Sequence, residues 1–226
     1  MANKPTIYII SSDASRNGKT LLARLIVDYL LLDGKDPFVL DTDAPEGPLR
    51  HYFPGRTSLA DFDKIAGRMK LFDTILALPG RDYVIDLPQR HMLAFYKAVA
   101  ELDFLNAARK MGFRIIVFFV VDWVLPSLRA AQDVFEVPGI DLFVAVINES
   151  IGSAWPKEEG ALKIPILSRK LAIAIADRRF SLRNFVLGND QGISDADKPD
   201  LNRFLYIVLD SLNSLDFDVS LQRSKP

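Results

Sequence analysis

The stretch Thr6 to Thr20, TIYIISSDASRNGKT, decides the fold of this 226-residue chain. Its first five residues, Thr6 to Ile10, are mostly β-branched or aromatic, which predicts a buried strand. After the polar loop, apolar residues recur at helical spacing from Leu21 to Leu30, and Gly34 follows as a C-cap glycine would. A strand, a short polar loop and an amphipathic helix in this order are typical of α/β proteins.

The rest of the chain repeats this alternation of strands and helices. Helices are predicted between the strands, at Lys170 to Arg179 and around Leu201 to Leu215, and Asn148 to Gly160 is expected to be a flexible loop. Because the strands carry apolar residues on both faces, we predict an α/β fold with a mostly parallel twisted sheet covered by helices on both faces. We find no linker-like segment and expect residues 1–226 to form a single domain. The further strands are predicted at Pro37–Leu40, Tyr83–Leu87, Arg114–Val121, Leu142–Ile147 and Lys163–Leu167.

The amino-acid composition excludes several kinds of functional site. The chain has no cysteine, which excludes disulfides, thiolate metal sites and thiol nucleophiles. Met1 to Pro5 lacks the zones of a secretory signal, and apolar runs such as Ile115 to Val121 are too short to cross a bilayer, so we expect a cytoplasmic protein without stable membrane insertion. The net charge of −1 gives no overall attraction for nucleic acid.

The polar loop has the chemistry of a phosphate-binding loop. A triphosphate needs converging backbone amides, a helix N-terminus, a cation beside its β and γ oxygens, and a hydroxyl for magnesium. Gly18, Lys19 and Thr20 meet these needs at a strand-to-helix turn, whereas the same tripeptide elsewhere is most often an exposed turn. The usual pattern has glycine where this chain has Asp13, which favours a modest affinity. The predicted nucleotide-binding residues are Ser15, Arg16, Asn17, Gly18, Lys19 and Thr20.

Two further segments follow in a recognisable order. Val39 to Gly47, VLDTDAPEG, and Asp82 to Pro88, DYVIDLP, each place aspartates at the end of an apolar strand. Together with the loop they resemble the ParA/MinD-like class of P-loop ATPases, which also contains dethiobiotin synthetase and the cobyrinic acid amidating synthases. The resemblance extends from Thr6 to about Phe185. The first segment is similar to switch I, and the second is similar to the Walker B and switch II stretch.

The resemblance implies roles for individual residues, with ATP and Mg²⁺ as cofactors. Asp86 would hold magnesium, together with Thr20 and with Asp41 nearby, and Asp43 would orient the attacking water beside Lys19. Carboxylates at the C-terminal ends of parallel strands do point into the crevice where such sheets bind ligands. For Asp43, plain turn chemistry is the alternative interpretation. Asn148 would contact the base, or else cap a helix or turn.

At one position the chain departs from the family pattern, so the sequence does not decide which branch of the family it resembles most. ParA/MinD-type ATPases carry a lysine that reaches the partner's phosphates in an ATP-dependent homodimer, and this chain has Ala14 there. Arg16 could replace that lysine, because a guanidinium suits phosphate oxygens. Our leading hypothesis is a slowly hydrolysing ATPase switch that positions or partitions a cellular cargo. An ATP-dependent biosynthetic ligase of the dethiobiotin or cobyrinic type, and a nucleotide-binding scaffold without turnover, are the alternatives.

Basic residues concentrate in the last third of the chain. A solvated helix face is the favoured interpretation, and a surface for nonspecific DNA or an acidic protein partner is the alternative. These residues are Arg169, Lys170, Arg178, Arg179 and Arg183.

Overall fold

The computed structural model describes residues 4–155, 160–177, 180–189 and 192–217, without the side chains of 216 and 217. The strands form one seven-stranded sheet in the order β3-β2-β4-β1-β5-β6-β7, and every neighbouring pair is parallel. The predicted α/β class with a parallel sheet is therefore confirmed. The strands are β1 (Thr6–Ser11), β2 (Phe38–Asp41), β3 (Thr57–Leu59), β4 (Tyr83–Asp86), β5 (Arg114–Val120), β6 (Leu142–Asn148) and β7 (Leu162–Ile164).

Helices cover both faces of the sheet. Successive residues of β1 point to opposite faces, so Tyr8 and Ile10 join one buried cluster and Ile7 and Ile9 join the other. The first cluster contains residues of α1, α2, α7, α8 and α9, and the second contains residues of α3 to α6. The helices are α1 (Lys19–Leu32), α2 (Leu49–Tyr52), α3 (Ile65–Ala77), α4 (Gln89–Glu101), α5 (Phe104–Lys110), α6 (Leu125–Phe135), α7 (Arg169–Ala176), α8 (Leu182–Val186) and α9 (Lys198–Phe217).

Strand β1 lies at the centre of the sheet and sets the position of the loop that follows it. Ile10 is in register with Asp86 of β4 on one side and with Phe118 of β5 on the other. Because all strands are parallel, their carboxyl ends meet at one edge, where ligands of open α/β sheets bind. The loop after β1 therefore lies between the ends of β4 and β5.

The structure differs from the sequence prediction at two strands. Strand β3 was not predicted, because its three residues are half-buried at the edge of the sheet and carry little hydrophobic pattern. Strand β7 ends before Pro165, although the pattern predicts a strand to Leu167, and proline has no amide for a ladder. In the loop predicted after Asn148, residues 149–155 contain no helix or strand, and residues 156–159 lie outside the described part.

The C-terminal helix α9 packs on the domain. Its apolar stripe is buried in the first cluster, and this stripe consists of Leu201, Phe204, Leu205, Val208 and Leu212. Within the described ranges, no helix combines the length and the apolar character needed to span a membrane.

A buried charged cluster ties α1 to α2, α7 and α8. The Arg24 guanidinium stacks 3.6 Å from the ring centre of Tyr52 and donates a 2.8 Å hydrogen bond to the carbonyl oxygen of Ile175. Asp28 lies one turn further along α1 and is only 4% exposed. Burial raises the pKa of Asp28 to about 7, while Arg24 and Arg183 act in the opposite direction. In the folded state the cost of burying the Asp28 charge thus exceeds the attraction of the two arginines, and the protonated form is favoured.

This cluster predicts a pH-dependent stability. An aspartate in the unfolded chain titrates near 4, so between about pH 4 and 7 the folded state binds more protons at Asp28 than the unfolded state does. The free energy of unfolding contributed by this group is therefore fully present below about pH 4 and is lost as the pH rises to about 7. Relative to Asp28→Asn, which cannot titrate, wild-type stability should fall by about 1 kcal/mol per pH unit over this range in urea unfolding. If the free energies of unfolding of the two proteins changed with pH in parallel, the raised pKa of Asp28 would be contradicted.

Candidate functional site

The loop between β1 and α1 is shaped by buried polar side chains. Ser12 Oγ donates a 2.7 Å hydrogen bond to the carbonyl oxygen of Val120 in β5. Ser12 Oγ itself accepts hydrogen bonds from Asn17 Nδ2 at 2.5 Å and from the amide of Ala14 at 3.2 Å. Ser12 and Asn17 are almost fully buried. The loop is therefore anchored to the neighbouring strand before any ligand arrives, which lowers the entropic cost of binding one.

Gly18 allows the chain to turn from the loop into α1. Its φ of 99° is in the left-handed region, and α1 begins at the next residue. A Cβ at Gly18 would lie 2.7 Å from Asn148 Nδ2, so the backbone also approaches β6 too closely for a side chain. Helix α1 therefore begins directly after the loop and without a side-chain cap, and the first amides of a helix have no acceptor within the helix, as in anion-binding sites at helix N-termini.

Lys19 is folded onto the loop. Its side chain is largely buried, and Nζ donates hydrogen bonds to the carbonyl oxygen of Ala14 and, at 3.1 Å, to Asn17 Oδ1. Burial lowers the pKa of Lys19, and the nearby carboxylates of Asp86 and Asp13 partly oppose this change. The ammonium group is thus held at the loop by groups that phosphate oxygens could replace.

Thr20 meets the end of β4. Its Oγ1 donates a 2.8 Å hydrogen bond to Asp86 Oδ2, and Asp86 is only 4% exposed. Burial raises the pKa of Asp86 to about 7, and the neighbouring Asp41 adds to this effect. A hydroxyl and a carboxylate are hard oxygen ligands of the kind that Mg²⁺ prefers when phosphates supply the others. The residues present therefore fit a magnesium ion.

Asp41 shapes the segment that follows β2. It is fully buried, and its two oxygens accept hydrogen bonds from the amides of Asp43 at 3.0 Å and Leu49 at 2.9 Å. Burial raises the pKa of Asp41, while these two hydrogen bonds act in the opposite direction. In the described contacts Asp41 holds the turn between β2 and α2, and a part in metal binding stays a prediction.

Asp43 lies at the same edge of the sheet, close enough to interact electrostatically with Lys19 and Asp86. Its Oδ1 is 2.7 Å from Arg90 Nη1, at the start of α4. The structure thus brings together Lys19, Thr20, Asp43 and Asp86 as the sequence predicts. No pattern in the sequence singles out Arg90.

Asn148 holds the loop between β1 and α1. Its Nδ2 donates a 3.0 Å hydrogen bond to the carbonyl oxygen of Asn17, and its Oδ1 accepts one of 3.0 Å from the amide of Ser150. The sequence leaves two roles open for the side-chain amide of Asn148, contact with a base or formation of a turn. The hydrogen bond from the amide of Ser150 is a turn contact, and contact with a base stays a prediction. Ser15 and Arg16 are exposed on the other side of the loop, and Arg16 has a φ of 56°.

Asp13 is engaged by a residue that the sequence did not single out. Ser127, which is fully buried in α6, donates a short hydrogen bond to Asp13 Oδ1, and its oxygen accepts a 2.9 Å hydrogen bond from the amide of Asp122. This chain of contacts joins the loop after β1 to the loop after β5. An aspartate therefore has a structural reason to replace the usual glycine.

The basic residues predicted as a partner surface have different environments. Arg169 is exposed, whereas Lys170 pairs with Asp197. Arg183 lies beside Asp28, and its Nε is buried without a hydrogen-bond partner. Arg178 and Arg179 lie outside the described residues. A partner surface here stays a prediction.

The position of Gly18 predicts a measurable cost of substitution. Gly18→Ala should lower the free energy of unfolding by about 1–3 kcal/mol, because it adds both a strained φ and a contact with Asn148. Gly34→Ala is the matched control, since Gly34 also has a positive φ but a Cβ there would meet nothing within 4 Å. In an Asn148→Ala background, the cost of Gly18→Ala should approach that of Gly34→Ala. Equal costs of the two glycine substitutions in the wild-type background would contradict the close approach.

Comparison with known proteins identifies the fold. No protein-family model matches the chain, and no curated protein sequence matches it. Among solved structures, the MinD cell division protein of Aquifex aeolicus aligns with a TM-score of 0.54 and 17% sequence identity, over 96% of this chain and 100% of that one. The chain therefore has an α/β fold that resembles the P-loop nucleotidase fold of MinD.

Proposed function

We propose that this protein binds ATP with Mg²⁺ and hydrolyses it slowly, as a ParA/MinD-like switch in the positioning or partition of a cellular cargo. The observation that carries the proposal is the hydrogen bond between Thr20 and Asp86, next to the buried Lys19. It joins the hydroxyl of Thr20 to the carboxylate of Asp86 at the N-terminus of α1, beside the ammonium group of Lys19, and each of these groups would act on a triphosphate.

Binding would use groups that are already in place. The amides of residues 15 to 20, which include the N-terminus of α1, would donate hydrogen bonds to the phosphate oxygens. Lys19 would exchange its hydrogen bonds to Ala14 and Asn17 for bonds to the β and γ oxygens, which are stronger because both partners are charged.

Thr20 and Asp86 would hold the magnesium ion, Thr20 through its hydroxyl and Asp86 through its ionised carboxylate. When bound, the ion supplies positive charge to the β and γ phosphates. Asp86 must lose its proton for this role, and the charge of the bound ion would favour that loss against the burial that raises the pKa of Asp86.

Hydrolysis would depend on Asp43 and Lys19. Asp43 would accept a hydrogen bond from the attacking water and orient it toward the γ phosphorus, and Lys19 would stabilise the charge that develops on the phosphate oxygens. Water enters and ADP and inorganic phosphate leave. Slow turnover is expected because Ala14 supplies no cation to these oxygens.

The switch function would require a second molecule of the chain or another partner. The exposed Ser15 and Arg16 lie on the loop that would face a second copy, with Arg16 as the residue suited to contact phosphate across such a dimer. We also propose that DNA or a protein partner binds at Arg169 and Lys170.

A biosynthetic ligase is the second candidate. It is favoured by Ala14 and by the contact of Asp13 with Ser127, which give the loop a composition unlike that of the partition ATPases. Phosphate release measured alone, with DNA and with candidate carboxylic acids separates the two functions. Stimulation by DNA supports the switch, and strict dependence on a carboxylic acid supports the ligase.

Lys19→Ala should abolish ATP binding measured by titration calorimetry. The lysine supplies the charge beside the β and γ phosphates, so its loss should weaken binding at least about 100-fold. Lys97→Ala is the control, because Lys97 is an exposed lysine on α4. Undiminished ATP affinity in Lys19→Ala would remove the loop from nucleotide binding.

Asp43→Ala should keep ATP and magnesium binding but lose turnover. A carboxylate that positions water acts in the transition state more than in the ground state, so the rate should fall roughly 100-fold or more while affinity stays within about threefold. Phosphate release and calorimetry on the same preparation measure both quantities. Asp73→Ala, an exposed aspartate of α3, is the control. Equal rates for Asp43→Ala and wild type would show that Asp43 has no part in hydrolysis.

A further inference from the structure

The guanidinium of Arg90 contacts two adjacent residues of the segment after β2, Asp43 and Ala44. Its Nη1 lies 2.7 Å from Asp43 Oδ1, and its Nη2 donates a 3.4 Å hydrogen bond to the carbonyl oxygen of Ala44. One planar guanidinium thus holds the side chain of one residue and the main chain of the next. A lysine is less suited to this geometry, because all its donors are on one nitrogen, whereas here two different nitrogens of the guanidinium make the two contacts.

The arginine is carried by a firmly packed element. It is the second residue of α4, and the same helix buries Met92, Phe95 and Val99 in the second hydrophobic cluster. The backbone of the segment that it contacts is held by Asp41 and by the carbonyl oxygen of Asp86, which accept hydrogen bonds from the amide of Asp43 and the hydroxyl of Thr42. In the described contacts Asp41 therefore holds the backbone at Asp43, while Arg90, on a packed helix, is the partner that holds the Asp43 carboxylate.

We propose that Arg90 is a positioning residue that holds Asp43 in place for ATP hydrolysis. This inference rests on the proposed function, because it assigns Arg90 a role through the residue that would orient the water. The described contact engages Oδ1 of Asp43, so Oδ2 is the oxygen that would accept the hydrogen bond of the water. Reaction rates are sensitive to such placement, since displacement of a catalytic group by about 1 Å can cost a factor of about 100.

Charge supports the same assignment. Asp43 and Asp41 both raise the pKa of the buried Asp86, so three carboxylates lie close together at this edge of the sheet. Arg90 provides a positive charge at Asp43 that offsets part of this repulsion. The pair is solvated, with side-chain exposures of 48% and 32%, so it contributes little to global stability. Loss of Arg90 should therefore change the position of Asp43 without unfolding the protein.

Kinetics of Arg90 variants test the proposal. Arg90→Ala should lower kcat roughly 10- to 100-fold while KM changes by less than about threefold, because an interaction that acts through a water-orienting group is realised in the transition state. Arg90→Lys should recover part of the loss, since it can make one of the two contacts. Arg50→Ala, an exposed arginine of α2, is the matched control. In an Asp43→Asn background, Arg90→Ala should cost no more than about twofold in single-turnover rate, because the residue it acts through is already impaired.

Amide hydrogen exchange gives a readout that does not depend on turnover. In nucleotide-free protein, Arg90→Ala should raise the exchange rates of the amides in residues 43–49 at least about threefold, and Arg50→Ala should not. If the wild type binds ATP without hydrolysing it, the hydrolytic part of the proposed function fails, and the exchange rates still decide whether Arg90 holds Asp43. Unchanged exchange in Arg90→Ala, or an equal kinetic cost in the Asp43→Asn background, would overturn the proposal.

Discussion

The hydrogen bond from Thr20 to the buried Asp86 is the contact on which the site depends. It joins the first turn of α1 to the end of β4, and it engages a carboxylate that is 4% exposed and lies beside Asp41. An ionised carboxylate in such a place is costly without a positive partner, which is why burial raises the pKa of Asp86 to about 7. The arrangement becomes favourable when a divalent cation and phosphates share it.

The same charge pattern explains the conformation of Lys19. The lysine is surrounded by carboxylates, yet its ammonium group donates to a carbonyl oxygen and an amide oxygen of its own loop. These partners are neutral, so a triphosphate could displace them with a gain in charge-assisted hydrogen bonding. The loop is held by Ser12 and Asn17 throughout, so little backbone rearrangement would be required.

The sequence predicts those parts of the site that local pattern determines. Lys19 and Thr20 follow from a strand-to-helix turn, and Asp86 follows because parallel strands of the same sheet end at one edge. The contacts of Asp13 with Ser127 and of Asn17 with Asn148 join residues 114 and 131 positions apart, and no local pattern reports such pairs. Arg90 is likewise not distinguished by its local sequence, because its contact with Asp43 depends on how α4 packs against the segment after β2. Strand β3 was missed for a related reason, since a short half-buried edge strand is stabilised by its neighbour more than by its own residues.

Nucleotide binding at this loop can be decided by a structure determined with Mg²⁺ and a nonhydrolysable ATP analogue. We expect Lys19 Nζ to leave the carbonyl oxygen of Ala14 and to contact the β and γ phosphates. The metal should lie between Thr20 Oγ1 and Asp86, bound to the carboxylate directly or through one water. A nucleotide bound elsewhere on the chain, or Lys19 still on Ala14 with the analogue present, would contradict these expectations.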